Sequence, residues 1–320
     1  MNAPATPQLT IGLLSFSAKA PGDWSHIFNQ AKAADQAGVD RLTFSDHVVF
    51  GEKLEEYARP EIGGQSGGKQ PTGPDGHWLE PLTTMSVIAG MTTRIRLRTQ
   101  ILIAALRRPV VLAKSGATLD VLSGGRLDLG VGVGWQKEEY LAAGLEFEGR
   151  GRLLDHTLDV CQILWRDQRA SIHTDELSFE NIHQMPKPVQ PGGVPIWISG
   201  TFRKSTVRRL ARYGSRWIPW GPDAADLLNS LPRVKDAVLA AGGNIDEFQV
   251  AGRLPVVRDA NGGIDIARSM EGVPAMVSAG ITDFACHLSL PADLDACRDA
   301  LDPLVTAFRE ATGRPAATCA

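Results

Sequence analysis

The chain has 320 residues, 43% hydrophobic and 22% charged, a balance that excludes disordered and fibrous classes. Its 33 Lys and Arg against 36 Asp and Glu give a net charge of −3, so there is no basic footprint for a nucleic-acid partner. No apolar run approaches the ~18 residues of a membrane span, and residues 1–10 lack the charged and apolar stretches of an export signal.

Cys161, Cys286, Cys297 and Cys319 stand at spacings unlike those of metal sites, which predicts reduced thiols in a cytoplasmic protein. Short, nearly continuous apolar runs predict strands at 9–14, 41–45, 95–103, 126–131, 195–199, 216–219, 248–253 and 283–288. Helical patterns lie between them, at 23–37, 79–91, 109–122, 152–165, 204–213, 224–241, 266–279 and 291–310. The first stops at Gly38, a residue suited to a left-handed C-terminal turn, and the third opens on Pro109. Eight strands alternating with eight helices predict a single (β/α)₈ barrel domain over 1–320, with a doubly wound open sheet as the alternative. Such a barrel needs about 250 residues, and two insertions take up most of the remainder. One, at 49–77, follows the second strand, on the face where barrels place their chemistry; the other, at 167–193, precedes the fifth strand and decorates the outside.

Several segments carry groups capable of chemistry. Ser45-Asp46-His47 ends the second strand, either as a ligand-facing pair at the barrel mouth or as a capping Asp beside a structural His. Arg107-Arg108-Pro109 reads as an anion site at a helix start or as solvated surface. Gly130 and Gly132 begin like a dinucleotide fingerprint, but Trp135 holds the place of its third small residue and no helix starts cleanly afterwards, so that reading fails. The glycines permit close approach of a flat ligand, or simply a tight barrel interior. Gly200-Thr201 before Arg203-Lys204-Ser205-Thr206 reads as a phosphate cradle or as ordinary capping. Trp217 and Trp220 bracket Ile218-Pro219 as a stacking wall or as core. Residues 63–69 mimic both a nucleophile elbow and a P-loop, yet lack the strand before and the helix after that either motif requires. No zinc-ligand spacing occurs.

Taken together, these segments resemble the luciferase-like flavin and deazaflavin oxidoreductase superfamily. The resemblance rests on Gln36-Ala37-Gly38-Val39-Asp40, Ser45-Asp46-His47, Thr93-Arg94-Ile95-Arg96-Leu97 and Arg108-Pro109. It continues through Leu119-Asp120-Val121-Leu122-Ser123-Gly124-Gly125-Arg126, Leu129-Gly130-Val131-Gly132-Val133-Gly134-Trp135, Pro195-Ile196-Trp197-Ile198-Ser199-Gly200 and Ala211-Arg212-Tyr213-Gly214-Ser215-Arg216-Trp217. Order and spacing are kept from about residue 9 to 222, whereas the C-terminal third matches only in general pattern.

The resemblance implies a luciferase-like barrel with a tricyclic cofactor at its C-terminal mouth, coenzyme F420 or FMN. It implies a non-proline cis peptide at Gln100–Ile101, a catalytic or ring-contacting His47, and a phosphate segment at Ser199, Gly200 and Thr201. Asp46, Gly132 and Trp135 complete the expected cofactor side, and Trp78, Trp135 and Trp220 wall the substrate side. The long connection after His47 is similar to that of the F420-dependent branch. Sugar-phosphate enzymes of that branch carry a Glu after the fourth-strand glycines; Trp135 stands there instead, which disfavours that activity and leaves Glu138 and Glu139 as weaker proton donors. The expected activity is hydride transfer between F420 and a small organic substrate. An FMN-dependent monooxygenase fed by a reductase and a non-catalytic flavin-binding barrel are the alternatives. Related barrels often dimerise, so a homodimer is implied.

Overall fold

Apolar runs flanked by amphipathic ones demand a sheet covered by helices, and the chain folds that way. The computed structural model describes residues 6–59, 62 and 68–315. Its parallel strands close into a barrel: β1 (Gln8–Gly12), β2 (Arg41–Phe44), β3 (Arg96–Thr99), β4 (Leu127–Val131), β5 (Ile196–Gly200), β6 (Arg216–Pro219), β7 (Gln249–Arg253) and β8 (Asp283–His287). Neighbours in sequence are neighbours in space, and β1 pairs with both β2 and β8, which removes any open edge. The open-sheet alternative is thereby excluded.

The surrounding helices follow their sequence signals. Ser25–Ala37 ends on Gly38 at φ 89°, and Pro109–Leu122 begins with its proline where no N–H is needed. Two expected helices are divided. The stretch 224–241 holds Pro222–Ala225 and Leu227–Ala240, broken at Asp226, whose φ of −120° and ψ of 52° are not helical. The stretch 266–279 holds Ile266–Met270 and Val273–Ser278, separated by Gly272 with Pro274 just beyond. A short helix, Lys137–Ala142, does start after Trp135, contrary to expectation. Gly134 turns the chain at φ 67°, and Glu138 and Glu139 occupy the first turn, where acidic side chains favour the helix N-terminus. The insertion before β5 forms an antiparallel hairpin, Ala170–His173 with Ser178–Ile182. The insertion after β2 contributes His77–Trp78, which pairs with Phe16–Ser17. Its glycine-rich motif mimics at 63–67 lie outside the described residues, as does Cys319. Cys161, Cys286 and Cys297 are buried free thiols.

Alternation along each strand sorts the barrel interior from the helix-facing shell. Arg41, Arg98, Asp128 and Asp283 point inward and form a buried ionic floor. Arg41 Nε lies 3.2 Å from Asp128, Arg98 Nη1 lies 3.2 Å from Asp283, and Arg41 also pairs with Asp283. Trp197 covers the floor, with Arg98 4.3 Å from its ring centre, and packs beside Ile218, Ala251 and Ile101. Gly130 permits this closeness, because a Cβ there would sit 2.1 Å from the Thr99 carbonyl oxygen. Above this layer the strands end together, and their last inward positions ring the mouth.

Candidate functional site

His47 lies three residues beyond β2, at the mouth. Its Nδ1 is 3.3 Å from both carboxylate oxygens of Glu139, and the Val48 amide donates to Glu139 Oε1 at 2.9 Å. Glu139 is 1% exposed and is presented by the short helix after Trp135. A carboxylate only accepts, so the pair assigns the Nδ1 proton to a hydrogen bond and leaves Nε2 as the working nitrogen. Among the described residues His47 is the one basic side chain within ion-pair distance of Glu139. The sequence makes Glu139 only a weaker proton donor, because Trp135 holds the carboxylate position of the resemblance and the acidic pair follows a turn later.

Aromatic rings enclose the imidazole. Phe50 lies 4.6 Å away, Trp78 4.9 Å edge-on and Trp135 6.2 Å edge-on. Phe16 stacks on Trp78 at 4.2 Å, and Tyr57 lies 5.3 Å from Trp135. Burial raises the Tyr57 hydroxyl above its ordinary pKa. Phe16, Phe50 and Tyr57 escape a sequence reading, since scattered aromatics in loops carry no periodic signal. Trp78 Nε1 donates to Thr72 Oγ1 at 2.9 Å, whereas the buried Trp135 Nε1–H has no partner among the described residues.

Asp46 turns away from His47. Its carboxylate accepts from the Ile103 amide at 2.8 Å and from both terminal nitrogens of Arg107, one of them at 2.9 Å. Arg107 also reaches Glu80 at 2.9 Å, so it is held by two carboxylates and is not a free anion site. The Gln100–Ile101 peptide is cis, as the resemblance implied. Gln100 Oε1 accepts from Arg98 Nη2 at 2.7 Å, which joins the mouth to the floor. Ile101 presses on β4, where a Cβ at Gly132 would come within 2.8 Å of its Cδ1.

Ser199 and Gly200 end β5, with Gly200 at φ 151° and its carbonyl accepting from Trp217 Nε1 at 2.9 Å. Thr201 leads into the helix Lys204–Tyr213, whose first turn holds no acidic residue and whose N-cap, Arg203, makes no side-chain capping bond. Its N-terminal N–H groups are open to an anion. Trp217 is buried on the outer face, while Trp220 is 37% exposed and donates to the Ile62 carbonyl at 3.1 Å. His47, Gln100, Ile101, Gly132, Ser199, Gly200 and Thr201 therefore lie at or just beyond strand ends on one face, with the imidazole after β2 and the helix N-terminus after β5.

The family model described as Luciferase-like monooxygenase matches residues 9–262, and the chain belongs to that family. A protein of Mycobacterium tuberculosis is 32% identical over 164 residues, covering 51% of this chain and 57% of that protein. The F420-dependent glucose-6-phosphate dehydrogenase of Kineococcus radiotolerans is 30% identical over 236 residues, 71% of this chain and 62% of its own length. Among solved structures, an F420-dependent secondary alcohol dehydrogenase bound to an F420–acetone adduct superposes with a TM-score of 0.72 at 17% identity, covering 95% of this chain and 99% of the other. Family and (β/α)₈ fold agree with the sequence reading. Among the described residues, no helix is long and apolar enough to cross a membrane.

Proposed function

We propose that this protein is an F420-dependent oxidoreductase that exchanges a hydride with a small organic substrate at the barrel mouth. The observation that carries this reading is His47, enclosed by aromatic rings and oriented by the buried carboxylate of Glu139.

The residues fit a flat anionic-tailed cofactor. The buried Trp135 N–H has no partner among the described residues, and the uncapped helix start beside Thr201 offers donors to a phosphate. Gln100, Ile101 and Gly132 would hold the ring, Trp135 would donate to it, and Ser199, Gly200 and Thr201 would hold the tail. When bound, F420 supplies the hydride chemistry. His47 Nε2 takes or gives the proton at the substrate heteroatom as the hydride moves. Glu139 holds the imidazole in the required tautomer, and Phe50 and Trp78 exclude water around it. Trp78 and Trp220 line the substrate side, and Asp46 acts from behind by fixing Ile103 and Arg107 below the ring site.

The second reading is an FMN-dependent monooxygenase supplied with reduced flavin by a reductase. Membership of the Luciferase-like monooxygenase family favours it. Titration of the purified protein with F420 and with FMN, followed by cofactor fluorescence, tests the choice. Saturable F420 binding at least tenfold tighter than FMN, with substrate reduction by reduced F420, is expected. Preference for FMN together with oxygen uptake on adding reduced FMN would transfer the assignment to the monooxygenase, and binding without either reaction would leave a non-catalytic barrel.

Glu139 is a positioning residue in this scheme. Glu139→Gln is expected to lower kcat on the order of 10²-fold and to move the His47-dependent limb of the pH–rate profile, with Glu139→Asp restoring part of both. Loss of stability with an unmoved profile would mark a purely structural role.

A further inference from the structure

The C-terminal third, where the sequence offered no site residue, places two nitrogenous side chains on the inner rim of the mouth. On β8 the inward positions are Asp283, Ala285 and His287, since Phe284 instead packs on Phe308 of the outer helix Leu294–Ala311. On β7 they are Ala251 and Arg253; Ala251 joins the interior cluster, whereas a Cβ at Gly252 would meet Ile281 and Leu227 on the helix side. Arg253 is opposite Ala285, one inward step below His287. Both Arg253 and His287 are exposed to the mouth, whereas Arg41, Arg96 and Arg98 are tied to carboxylates.

Gly12, at the end of β1, fixes where the His287 ring lies. A Cβ there would fall 2.6 Å from His287 Nε2, so the imidazole rests flat on the bare backbone of β1. Burial of the ring against β1, and then the Arg253 guanidinium, hold the His287 pKa below its ordinary value. At neutral pH the pair therefore presents one positive charge and one neutral imidazole, which matches a monoanion better than a dianionic phosphate.

We propose that Arg253 and His287 form a carboxylate-recognition subsite at the β7–β8 rim, so that the organic substrate carries a carboxylate. This rests on the proposed oxidoreductase reading for its role in catalysis. The subsite itself is testable without cofactor or turnover. Arg253 supplies paired N–H donors to the carboxylate, and His287 supplies one further donor. The subsite stands at the β7–β8 rim, away from the helix N-terminus after β5 that is assigned to the cofactor tail, so the two anions have separate receptors.

Benzoate, benzamide and inorganic phosphate serve as probes of the cofactor-free full chain, observed through the ring resonances of His287 assigned with a His287→Gln variant. Benzoate is expected to shift the His287 resonances saturably and raise the pKa of the ring, with benzamide and phosphate at least tenfold weaker. Arg253→Gln should weaken the benzoate response at least tenfold while leaving cofactor affinity within twofold of the native chain. Equal responses to benzoate and benzamide, stronger binding of phosphate, or an unchanged benzoate response in Arg253→Gln would each overturn the proposal. A loss of F420 or FMN affinity in Arg253→Gln would overturn it too, by giving the rim to the cofactor's own anion. Absence of any cofactor binding by the native chain would instead sink the oxidoreductase reading and leave the benzoate result standing.

Discussion

His47→Asn is expected to lower turnover by about 10²–10⁴-fold while cofactor affinity stays nearly constant. Asparagine keeps a polar group of similar reach near Glu139 but has no nitrogen that gains and loses a proton, so only the proton-transfer role is removed. The two measurements separate because the groups assigned to the cofactor, from Gln100 to Thr201, stand on β3 to β5, whereas the imidazole follows β2. Steady-state kinetics on the variant, beside fluorescence titration of the cofactor, checks both. Unchanged kcat would remove His47 from the mechanism, and a parallel collapse of cofactor affinity would make it a binding group. Outside imidazole should restore part of the activity of a His47→Gly variant, since the aromatic box would then hold a space of the right shape.

The barrel was legible because its strands are nearly continuous apolar runs and its helices carry their own punctuation. Gly38, Pro109 and the Ser123-Gly124-Gly125 turn mark ends that the structure reproduces to within a residue or two. What escaped has short-range physics too weak to register. A two-residue strand such as His77–Trp78 has no period, and Lys137–Ala142 is under two turns long, so its formation depends on the packing of Tyr140 and Glu139. That miss mattered, because the same helix carries the partner of His47. The site residues from Ser45 to Thr201 were visible as motifs because backbone geometry constrains them: glycines where strands touch, and hydroxyls before a helix. Arg253 and His287 were invisible for the opposite reason. Their importance comes from which way a strand position points, and only register supplies that: Gly12 opposite His287, and Arg253 opposite Ala285. The Asp46 reading shows the same limit. Its neighbour His47 faces the mouth while its own carboxylate is committed to Arg107 and the Ile103 amide.

The largest stability effect belongs to the floor beneath this site. Asp283→Ala is expected to cost about 3–5 kcal/mol and to lower the melting midpoint by roughly 5–10 °C, measurable by calorimetry or circular dichroism. Asp283 is fully buried and serves Arg41 and Arg98 together, besides accepting from Thr10 Oγ1 at 3.1 Å. Burial, with Arg41 close by, already drives the Arg98 pKa well below its ordinary value, so loss of the aspartate would leave the Arg98 guanidinium beside that of Arg41 without its own ion-pair partner. Asp128 cannot substitute, because it is shared between Arg41 and Arg96, and Arg96 Nη2 holds it at 2.8 Å. The charge count makes a sharper test. Removing Arg98 together with Asp283 leaves Arg41 paired with Asp128, so Arg98→Met with Asp283→Leu should cost less than the sum of the single changes, with a coupling of about 1–3 kcal/mol. Additive costs would show that the floor is stabilised by packing against Trp197 rather than by charge balance. Arg98 also donates to Gln100 Oε1 at the mouth, so the double variant should keep its fold yet bind the cofactor more weakly. Stability and binding would then be separated in one protein, with the ionic floor acting as the support that sets where the ring site stands.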